Sequence, residues 1–339
     1  MLAPQIFALR RQLHRHPEPG FLEYRTAVTV VESLKELGIP HLTGNQALDM
    51  DSVPCPPTPE EQEEWGRLAV EAGADPEMVT AFRAHGTAII AVIEGKWPGP
   101  VWGVRVDMDA LPITEDTTAE HFPAAHGFGS TTTYMHACAH DGHTAIGVAL
   151  ASRLADRNFP GTVRILFQPA EEGVRGALPM ICAGAVEGID RMLAVHLGGD
   201  LPTGTVVGGV DDAMATTKWI ARFTGEAAHA AAAPEKGRNA LAAAAQATLA
   251  ILGLPRFASA DTRVNVGTFH AGGSANIIPA TASITYETRS DSNEALSEMD
   301  RRVEAMVHGA ARMHGVGVDT AVYGGSASSI PDPERLQDL

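Results

Sequence analysis

The sequence predicts an α/β fold in two parts: a domain whose mostly parallel sheet is flanked by helices, and an inserted ferredoxin-like α+β domain. Short apolar runs bounded by glycine and proline alternate with helical patterns in the first part, as in parallel sheets. The next segment has the element order β-α-β-β-α-β of a split βαβ sandwich. At roughly 150 residues per domain, 339 residues also fit two domains. We therefore place one domain at 1–210 and 325–339 and the other at 211–324.

The amino-terminal part is predicted to be helical. Apolar residues at helical spacing predict a first helix, which ends before Pro17. A second helix is predicted over 26–37. After a proline-rich stretch, Thr58 precedes a proline and two glutamates, which is the pattern of a helix N-cap and first turn. This pattern predicts an acidic helix up to residue 72, and a short helix follows over 76–83.

Apolar runs bounded by glycine or proline predict buried strands in the first domain at 88–93, 101–106, 163–167 and 192–196. Helical patterns lie between them at 143–154 and 176–183. In the second domain, strands are predicted at 218–223, 263–269, 283–288 and 317–323, and helices at 239–252 and 293–313. The alternation of strands and helices in the first domain is what predicts a mostly parallel sheet.

Composition excludes several classes of protein. Lysine and arginine total 25 and aspartate and glutamate total 41, which gives a net charge of −16. That charge argues against a general nucleic-acid or anionic-membrane binder. Three cysteines are too few for a disulfide scaffold, and no signal-peptide h-region or run of about 18 apolar residues is present. We therefore expect a cytoplasmic protein without nucleic-acid or membrane partners.

The densest group of potential metal ligands includes Cys138 and His140, in the segment MHACAHDGH between a loop and a helix start. Thiolate and imidazole suit zinc and its neighbours, and carboxylates extend the choice to manganese. Two residues that are two apart in a loop can point at one centre. The alternative is a buried cysteine beside a surface histidine, with Asp141 as the cap of the following helix.

Two further predicted strands end in potential ligands. Glu171 and Glu172 follow one strand, where one carboxylate could hold a metal and the other could act as a general base. His196 ends another buried strand. Alone, the glutamates could be solvated acids at a turn and the histidine a core residue. Three strand or loop ends that each supply potential ligands together favour a metal site. Asp107, after another strand, could accept a hydrogen bond from a ligand histidine or cap the turn before Pro112.

Together these segments resemble the M20 metallopeptidase family, in its amidohydrolase, aminoacylase-like branch. The resemblance covers most of the chain from Arg10 to Arg289 and includes a proline-rich and helical insertion at 48–86. The segments that carry it are RRQLHRHPEPGFLEYRTA, VRVDMDALPI, MHACAHDGHTA, ILFQPAEEG with RGA, AVHLG, GEAAHAAAAPEKGRNAL and NIIPATASITYETR.

The resemblance implies a catalytic α/β domain with an inserted dimerisation or lid domain, and a site for two divalent metal ions, Mn²⁺ or Zn²⁺. By matching positions, Cys138, His140, Glu172 and His196 would be the metal ligands. Glu171 would be the general base.

In the inserted domain, His229 matches a histidine that in family dimers reaches the neighbouring site and stabilises the tetrahedral intermediate. Asn276 and Arg289 match positions that contact the substrate carboxylate, a role that suits the planar guanidinium. The alternative for Arg289 is a surface charge at a strand end.

The activity that the resemblance implies is metal-dependent hydrolysis of the amide bond in an N-acyl or N-aroyl amino acid, with p-aminobenzoyl-glutamate as the expected substrate. A broader aminoacylase or hippurate-type hydrolase is the alternative within this class. From another class comes a non-catalytic subunit with an incomplete metal site. A homodimer, or a heterodimer with a related subunit, is the expected assembly.

Two departures from the family pattern matter. The family has glycine where this chain has Ala139, and alanine would be strained there if the backbone needs a positive φ. Family members also continue the catalytic domain beyond the inserted one and supply a last ligand histidine there. None of His270, His308 and His314 lies in a matching context, which favours the interpretation of this chain as a fragment of a longer protein.

Overall fold

The computed structural model describes residues 3–198, 201–209 and 213–328. Contacts between Cα atoms divide the chain into two compact units, Met1–Leu201 and Pro202–Leu339. Each unit contains one sheet with helices packed against it, so the fold is a mixed α/β fold. Residues 329–339, which the sequence assigns to the first domain, lie outside the described residues.

The first unit contains most of the elements predicted from apolar patterns, with small shifts at their ends. Its helices are α1 (Ala3–Arg15), α2 (Tyr24–Glu36), α3 (Pro59–Glu71), α4 (Pro76–His85), α5 (Phe122–Ala125), α6 (His140–Leu154) and α7 (Ala177–Cys182). Its strands are β1 (His41–Leu42), β2 (Ile89–Glu94), β3 (Trp97–Asp107), β4 (Pro160–Gln168) and β5 (Arg191–Ala194). Helix α5 and strand β1 were not predicted.

Helix α3 shows why local patterns were informative. The Thr58 side chain accepts a hydrogen bond from the backbone N–H of Glu61, and the Glu61 carboxylate accepts one from the backbone N–H of Thr58. This capping box satisfies two backbone donors at the helix start. The predicted N-cap is therefore confirmed.

The sheet of the first unit has the strand order β1-β2-β4-β3-β5 and is mixed rather than mostly parallel. Strand β3 is parallel to β4 and β5, whereas β2 is antiparallel to β1 and β4. Only two residues join β2 to β3, and a parallel connection needs a crossover of about a dozen residues. The prediction of parallel strands is confirmed for the pairings of β3 with β4 and β5, and it was wrong for the pairings of β2, where the short connection to β3 excludes a parallel crossover.

Strand β4 fits between β2 and β3 because glycines allow close backbone contact beside it. A Cβ atom on Gly95 would lie 2.1 Å from the carbonyl oxygen of Phe159. Gly161 has a φ of +84°, and a Cβ there would lie 2.1 Å from the carbonyl oxygen of Pro100. Side chains at these positions would push the strands apart.

Helices cover the first sheet on both faces. Alternate residues of β2 divide between the two sides: Ile89 packs in a core with α2, α3, α4 and α6, and Ile90 packs in a smaller core that includes Met180 of α7. This alternation follows the period of two in a strand. The prediction of a sheet flanked by helices is confirmed.

Strand β5 is exposed at all four of its residues, so the prediction of a buried strand at 192–196 was wrong in its burial. The strand pairs only with β3 and lies at the edge of the described sheet. Its apolar composition is typical of a core strand, but position in the sheet, not composition, decides burial.

The second unit contains β6 (Ala215–Thr224), α8 (Ala240–Leu252), β7 (Thr262–Ala271), β8 (Thr281–Ser290), α9 (Asn293–Met313) and β9 (Gly317–Ser326). The sheet order is β7-β8-β6-β9, and all three pairings are antiparallel. Ala247 of α8 and Val303 of α9 pack with Ile284 of β8 in one core. Both helices therefore cover the same sheet.

No helix among the described residues combines the length and the apolar character needed to cross a bilayer.

Candidate metal centre

The candidate site lies at the carboxyl edge of the first sheet. Strands β3 and β4 are parallel and in register, so that Asp107 pairs with Gln168 at their ends. The loops that follow these strands therefore emerge side by side, which is where open α/β sheets place their ligands. Helix α6 packs against β3 and begins at His140, beside the same edge.

His140 is the centre of the potential ligand atoms in the described part of the chain. It belongs to three groups whose ligand atoms lie within 4.8 Å of one another. These groups are Cys138 with His140 and His196, His140 with Glu171 and Glu172, and Asp107 with His140 and His143. The structure thus brings together the four proposed ligands and the proposed base.

Apart from Oδ2 of Asp107, which is ion-paired with Arg105 at 2.7 Å, two buried atoms at this centre have no hydrogen-bond partner among the described residues. They are Nε2 of His140 and Oε1 of Glu172, which lie 3.9 Å apart. The Nε2 atom of His140 is also 3.7 Å from Oε2 of Glu171. Buried polar atoms are normally paired, so an unpaired nitrogen and an unpaired oxygen that face each other indicate space for a shared partner.

Cys138 and His196 also meet beside His140. The Sγ atom of Cys138 lies 3.4 Å from Nε2 of His196. The Nδ1 atom of His196 lies 2.9 Å from the carbonyl oxygen of Leu197, to which its N–H donates. The lone pair of a neutral His196 is therefore on Nε2, on the side of the thiol. This is the orientation a metal-binding imidazole needs.

Asp109 is the residue of this site that the sequence interpretation missed. Its Oδ1 accepts hydrogen bonds from the backbone N–H of Glu171 (2.9 Å) and from Nδ1 of His140 (3.3 Å). Its Oδ2 accepts one from the backbone N–H of Glu172 (2.9 Å). The signal available in the sequence was the second aspartate of the Asp107-Met108-Asp109 segment, which follows directly on a strand end.

Asp107 is buried and has a different partner from the one expected. One of the two roles that the sequence allows for Asp107 is to accept a hydrogen bond from a ligand histidine, but its Oδ1 accepts from Nδ1 of His143 at 2.6 Å and is 3.7 Å from Nε2 of His140. The Nε2 atom of His143 accepts a hydrogen bond from the backbone N–H of Leu197 at 2.8 Å. His143 therefore connects Asp107 to the segment that carries His196, and it is Asp109 that hydrogen bonds to His140.

The local charge is negative and favours cations. Burial alone would lower the pKa of His140, but Asp109, Asp107 and Glu171 raise it to about 9. Burial raises the pKa of Glu172 to about 7, despite the opposing charge of His140. Burial and the nearby carboxylates raise the pKa of the Cys138 thiol to about 11. The cluster holds protons where a metal cation could replace them, because a cation favours the deprotonated form of each ligand.

The donor set fits divalent transition-metal ions. One thiol, two imidazoles and two carboxylates converge, and two of their atoms lack a partner among the described residues. Sulfur and nitrogen donors suit Zn²⁺, and the carboxylates also admit Mn²⁺.

Backbone conformation at the site is unusual at Ala139 and in the turn after β4. Ala139 precedes α6 with a φ of +61° and a ψ of 24°, the left-handed conformation. Ala170 and Val174 have φ values of +48° and +59°. The N–H of Ala170 donates to Oε1 of the buried Glu23 at 2.8 Å. Three successive amides of this turn are therefore held by carboxylates, which orients the side chains of Glu171 and Glu172.

The three remaining predicted site residues lie in the second unit. His229 forms a β-bridge with Ile277, and the N–H of Ala230 donates to the carbonyl oxygen of Asn276, so His229 and Asn276 are neighbours. The Nδ1 atom of His229 accepts from the N–H groups of residues 231 and 232 at 3.2 and 3.1 Å, which places the proton of a neutral ring on Nε2. Arg289, on β8, pairs with Glu287 at 3.0 Å.

Comparison with known proteins gives consistent matches. Residues 103–329 match peptidase family M20/M25/M40. The chain is 44% identical over 337 residues to one subunit, designated A, of the p-aminobenzoyl-glutamate hydrolase from Escherichia coli strain K12. It is 43% identical over 336 residues to indole-3-acetyl-aspartic acid hydrolase of Enterobacter agglomerans. Each alignment covers 98% of this chain and 77% of the relative.

Solved structures show the same similarity. The aminobenzoyl-glutamate utilization protein from Klebsiella pneumoniae superposes with a TM-score of 0.87 at 38% identity, over 99% of this chain and 79% of that chain. A dinuclear metal binding peptidase of the M20 family from Bacillus subtilis superposes with a TM-score of 0.61 at 27% identity, over 98% of this chain and 77% of that chain.

Proposed function

The chain belongs to peptidase family M20/M25/M40, and from this premise we propose that it is a metal-dependent amidohydrolase that cleaves N-aroyl amino acids. The observation that carries the proposal is the convergence of Cys138, Glu172 and two imidazoles on one centre, with Glu171 beside it. We assign Cys138, His140, Glu172 and His196 as ligands of two divalent ions. Such ions, when bound, acidify water and polarise a carbonyl oxygen.

Glu171 is proposed as the general base. Its carboxylate is about one third exposed and lies within 3.7 Å of His140 Nε2 on one oxygen and 3.8 Å of Arg105 on the other. It is thus at the centre but open to solvent, as a group that exchanges protons with water must be. Glu171 takes a proton from the attacking water, and the amide carbon gains the water oxygen. Glu171 then returns the proton to the leaving nitrogen as the C–N bond breaks.

The second unit is proposed to be a ferredoxin-like lid or dimerisation domain. Its β-α-β-β-α-β order and fully antiparallel sheet support this assignment. In a dimer, His229 is proposed to donate from Nε2 to the oxyanion that develops in the neighbouring site, for which its proton placement is suitable. Asn276 and Arg289 are proposed to bind the substrate carboxylate; Arg289 would then have to exchange its contact with Glu287 for the substrate.

The proposed substrate is an aromatic acyl group joined to an acidic amino acid, with p-aminobenzoyl-glutamate as the first candidate. Two relatives of nearly equal identity are named for an aminobenzoyl-glutamate and for an indole-acetyl-aspartate. Both names combine an aromatic acid with a dicarboxylic amino acid. We further propose assembly as a homodimer or with a related subunit, because the relative from Escherichia coli is named as one subunit of its hydrolase. We also propose a cytoplasmic location.

The test of the chemistry is Glu171→Gln, with metal content and hydrolysis of p-aminobenzoyl-glutamate measured on the same samples. The variant should keep its metal and lose at least ~100-fold in rate, since general acid–base catalysis contributes that much. Glu187→Gln, at an exposed glutamate away from the centre, is the matched control and should keep both. Turnover retained in Glu171→Gln would contradict the assignment of the base.

The second test addresses substrate and metal. Chelated protein should regain activity with Mn²⁺ or Zn²⁺, and p-aminobenzoyl-glutamate and indole-3-acetyl-aspartate should be hydrolysed faster than hippurate. Preference for hippurate would favour the broad aminoacylase alternative. A folded protein that takes up no metal would favour a non-catalytic subunit.

A further inference from the structure

A cavity of about 220 Å³ lies in the first unit, and its lining contains none of the residues of the candidate metal centre. One wall is helix α3, which belongs to the 48–86 insertion, and contributes Trp65, Leu68 and Ala69. Arg25 of α2 and Thr132 of the loop that precedes α6 also line it. None of the cavity residues is a proposed metal ligand or a proposed catalytic residue. The proposed hydrolysis therefore gives this cavity no role.

Arg25 is the polar end of the cavity. The residue is only 8% exposed, and its Nε donates to the carbonyl oxygen of Ala72 at 3.1 Å. Its Nη1 is buried and has no hydrogen-bond partner among the described residues. Leaving a charged donor buried and unpaired costs free energy, so a guanidinium in this state is suited to an anionic partner.

Two carboxylates, those of Glu18 and Glu71, also line the cavity, and each has another partner: Glu71 pairs with Arg67 at 2.6 Å. The Glu18 carboxylate accepts the backbone N–H groups of Arg25 (2.8 Å) and Thr26 (2.9 Å), and burial raises its pKa to about 7. His16 also lines the cavity, and burial together with the charges of Arg25 and Arg15 lowers its pKa to about 4. Near neutral pH, His16 is thus uncharged and Glu18 is engaged with the backbone.

The remainder of the lining determines what kind of anion would fit. Trp65, Leu68 and Ala69 present apolar surface next to the guanidinium. The volume is below the roughly 300–1,000 Å³ of pockets for drug-sized ligands, so the occupant has about one ring. We propose that this cavity is a binding site for a small aromatic carboxylate, with the carboxylate against Arg25 and the ring along α3.

The experiment is a calorimetric titration of the full chain with benzoate, on wild type, Arg25→Lys and Arg67→Lys. Wild type should bind one benzoate per chain. Arg25→Lys should bind at least ~10-fold more weakly, because lysine cannot offer the guanidinium edge to a carboxylate. Arg67 is an exposed arginine on α3 outside the cavity lining, and Arg67→Lys keeps a positive charge beside Glu71, so this substitution is the matched control and should leave the affinity unchanged.

Three further experiments test where benzoate binds. Leu68→Phe adds a ring to the cavity wall without removing a hydrogen bond, and should weaken benzoate binding by a similar factor. Binding should survive chelation of metals and the Glu171→Gln substitution, because the metal centre is separate. A wild-type crystal grown with benzoate should show the ligand against Arg25 even if the variants fail to fold. The proposal is overturned by no binding, by equal affinity in Arg25→Lys and Arg67→Lys, by phosphate binding as well as benzoate, or by benzoate located elsewhere.

Discussion

The carboxylate of Asp109 accepts a hydrogen bond from the backbone N–H of Glu172, with 2.9 Å between Oδ2 and the nitrogen. Its other oxygen accepts from the N–H of Glu171 at 2.9 Å and from Nδ1 of His140 at 3.3 Å. Asp109 therefore fixes the turn that carries the proposed base to the helix that begins with a proposed ligand. A single buried side chain thus sets the relative position of three groups of the candidate centre.

Replacing Asp109 by asparagine should weaken the centre without unfolding the unit. Asp109 accepts hydrogen bonds from three donors, and the NH₂ group of asparagine cannot accept, so at least one of these hydrogen bonds would be lost. Partners of metal ligands typically contribute 10–100-fold in metal affinity or activity, and we expect Asp109→Asn to lose a factor in that range. Metal affinity by competition with a chelator and the rate of amide hydrolysis would measure this.

The matched control for that substitution is Asp156→Asn. Asp156 is exposed and accepts the N–H of Asn158, in the turn between α6 and β4, at the amino end of β4 and thus away from the carboxyl edge that carries the centre. It should leave metal affinity and rate unchanged. Equal behaviour of the two variants would show that Asp109 does not position the centre.

His143 should behave as a positioning residue and not as a ligand. Its two nitrogens are engaged by Asp107 at 2.6 Å and by the N–H of Leu197 at 2.8 Å, so neither is free for a metal. His143→Asn should lower the free energy of unfolding by about 1–3 kcal/mol, the cost of unpaired buried groups, and should lower metal affinity through displacement of His196. Urea denaturation and metal titration would measure the two effects.

The same substitution at the exposed His126 is the control, since that ring makes only local contacts in the described structure: its Nδ1 is 2.9 Å from the carbonyl oxygen of Phe122, and it stacks on the Phe122 ring. A decisive outcome against the positioning role would be loss of one metal ion per chain from His143→Asn with unchanged stability, because that is the signature of a lost ligand.

The sequence predicted much of this fold because many of its signals are local. The Thr58 capping box and the helical spacing of apolar residues act within one element, so α3 and most other helices appear within a few residues of their predicted bounds. Potential metal ligands at strand and loop ends could also be identified, because the thiol of Cys138 and the carboxylate of Glu172 are recognisable as ligand groups from residue type alone.

The remaining features depend on the assembled sheet. Asp109 acquires its role only because β3 and β4 are in register and the turn after β4 directs its amides at the carboxylate. Strand β5 is exposed because it lies at an edge of the described sheet, which its apolar composition does not encode. The antiparallel placement of β2 relative to β4 follows from a short connection and glycine packing.

A buried charge network should make stability depend on pH. His14 lies between Asp141 and Glu115, at 2.8 Å from each, and Arg10 contacts Asp141 at 2.7 Å. Burial alone would lower the pKa of His14, but its hydrogen bonds to the two carboxylates raise it above the ordinary value of 6.5. Burial opposes ionisation of the carboxylates, but the partners lower the pKa of Asp141 and of Glu115.

The sign of the dependence follows from these directions. A raised histidine pKa adds stability below pH 6.5 that is lost as pH rises through the folded value. Lowered carboxylate pKa values add stability above pH 4.5 that is lost on acidification. The difference in unfolding free energy between wild type and His14→Gln should therefore be largest between pH 4.5 and 6.5 and decline above it.

Urea denaturation of both proteins across this range would measure that difference, with His126→Gln as the exposed control. His136 lies beside His14, with ring centroids 6.3 Å apart, but burial lowers its pKa to about 4, so it is uncharged through most of the window. A difference that rises steadily above pH 6.5 would have the wrong sign for this network.

Ala139→Gly should stabilise the protein, which is the reverse of the usual effect of glycine at a helix. Ala139 has a φ of +61°, and this left-handed conformation costs an L-residue roughly 1–2 kcal/mol, whereas glycine adopts it freely. The greater freedom of glycine in the unfolded chain offsets about 0.4–1 kcal/mol of that gain. The expected net increase in the free energy of unfolding is therefore about 0.5–1 kcal/mol, measurable by urea denaturation. Ala149→Gly, within the same helix at ordinary helical geometry, should instead destabilise by about 0.5–1 kcal/mol. If both variants lose stability, the backbone at Ala139 is not strained, and alanine at this position does not lower the free energy of unfolding.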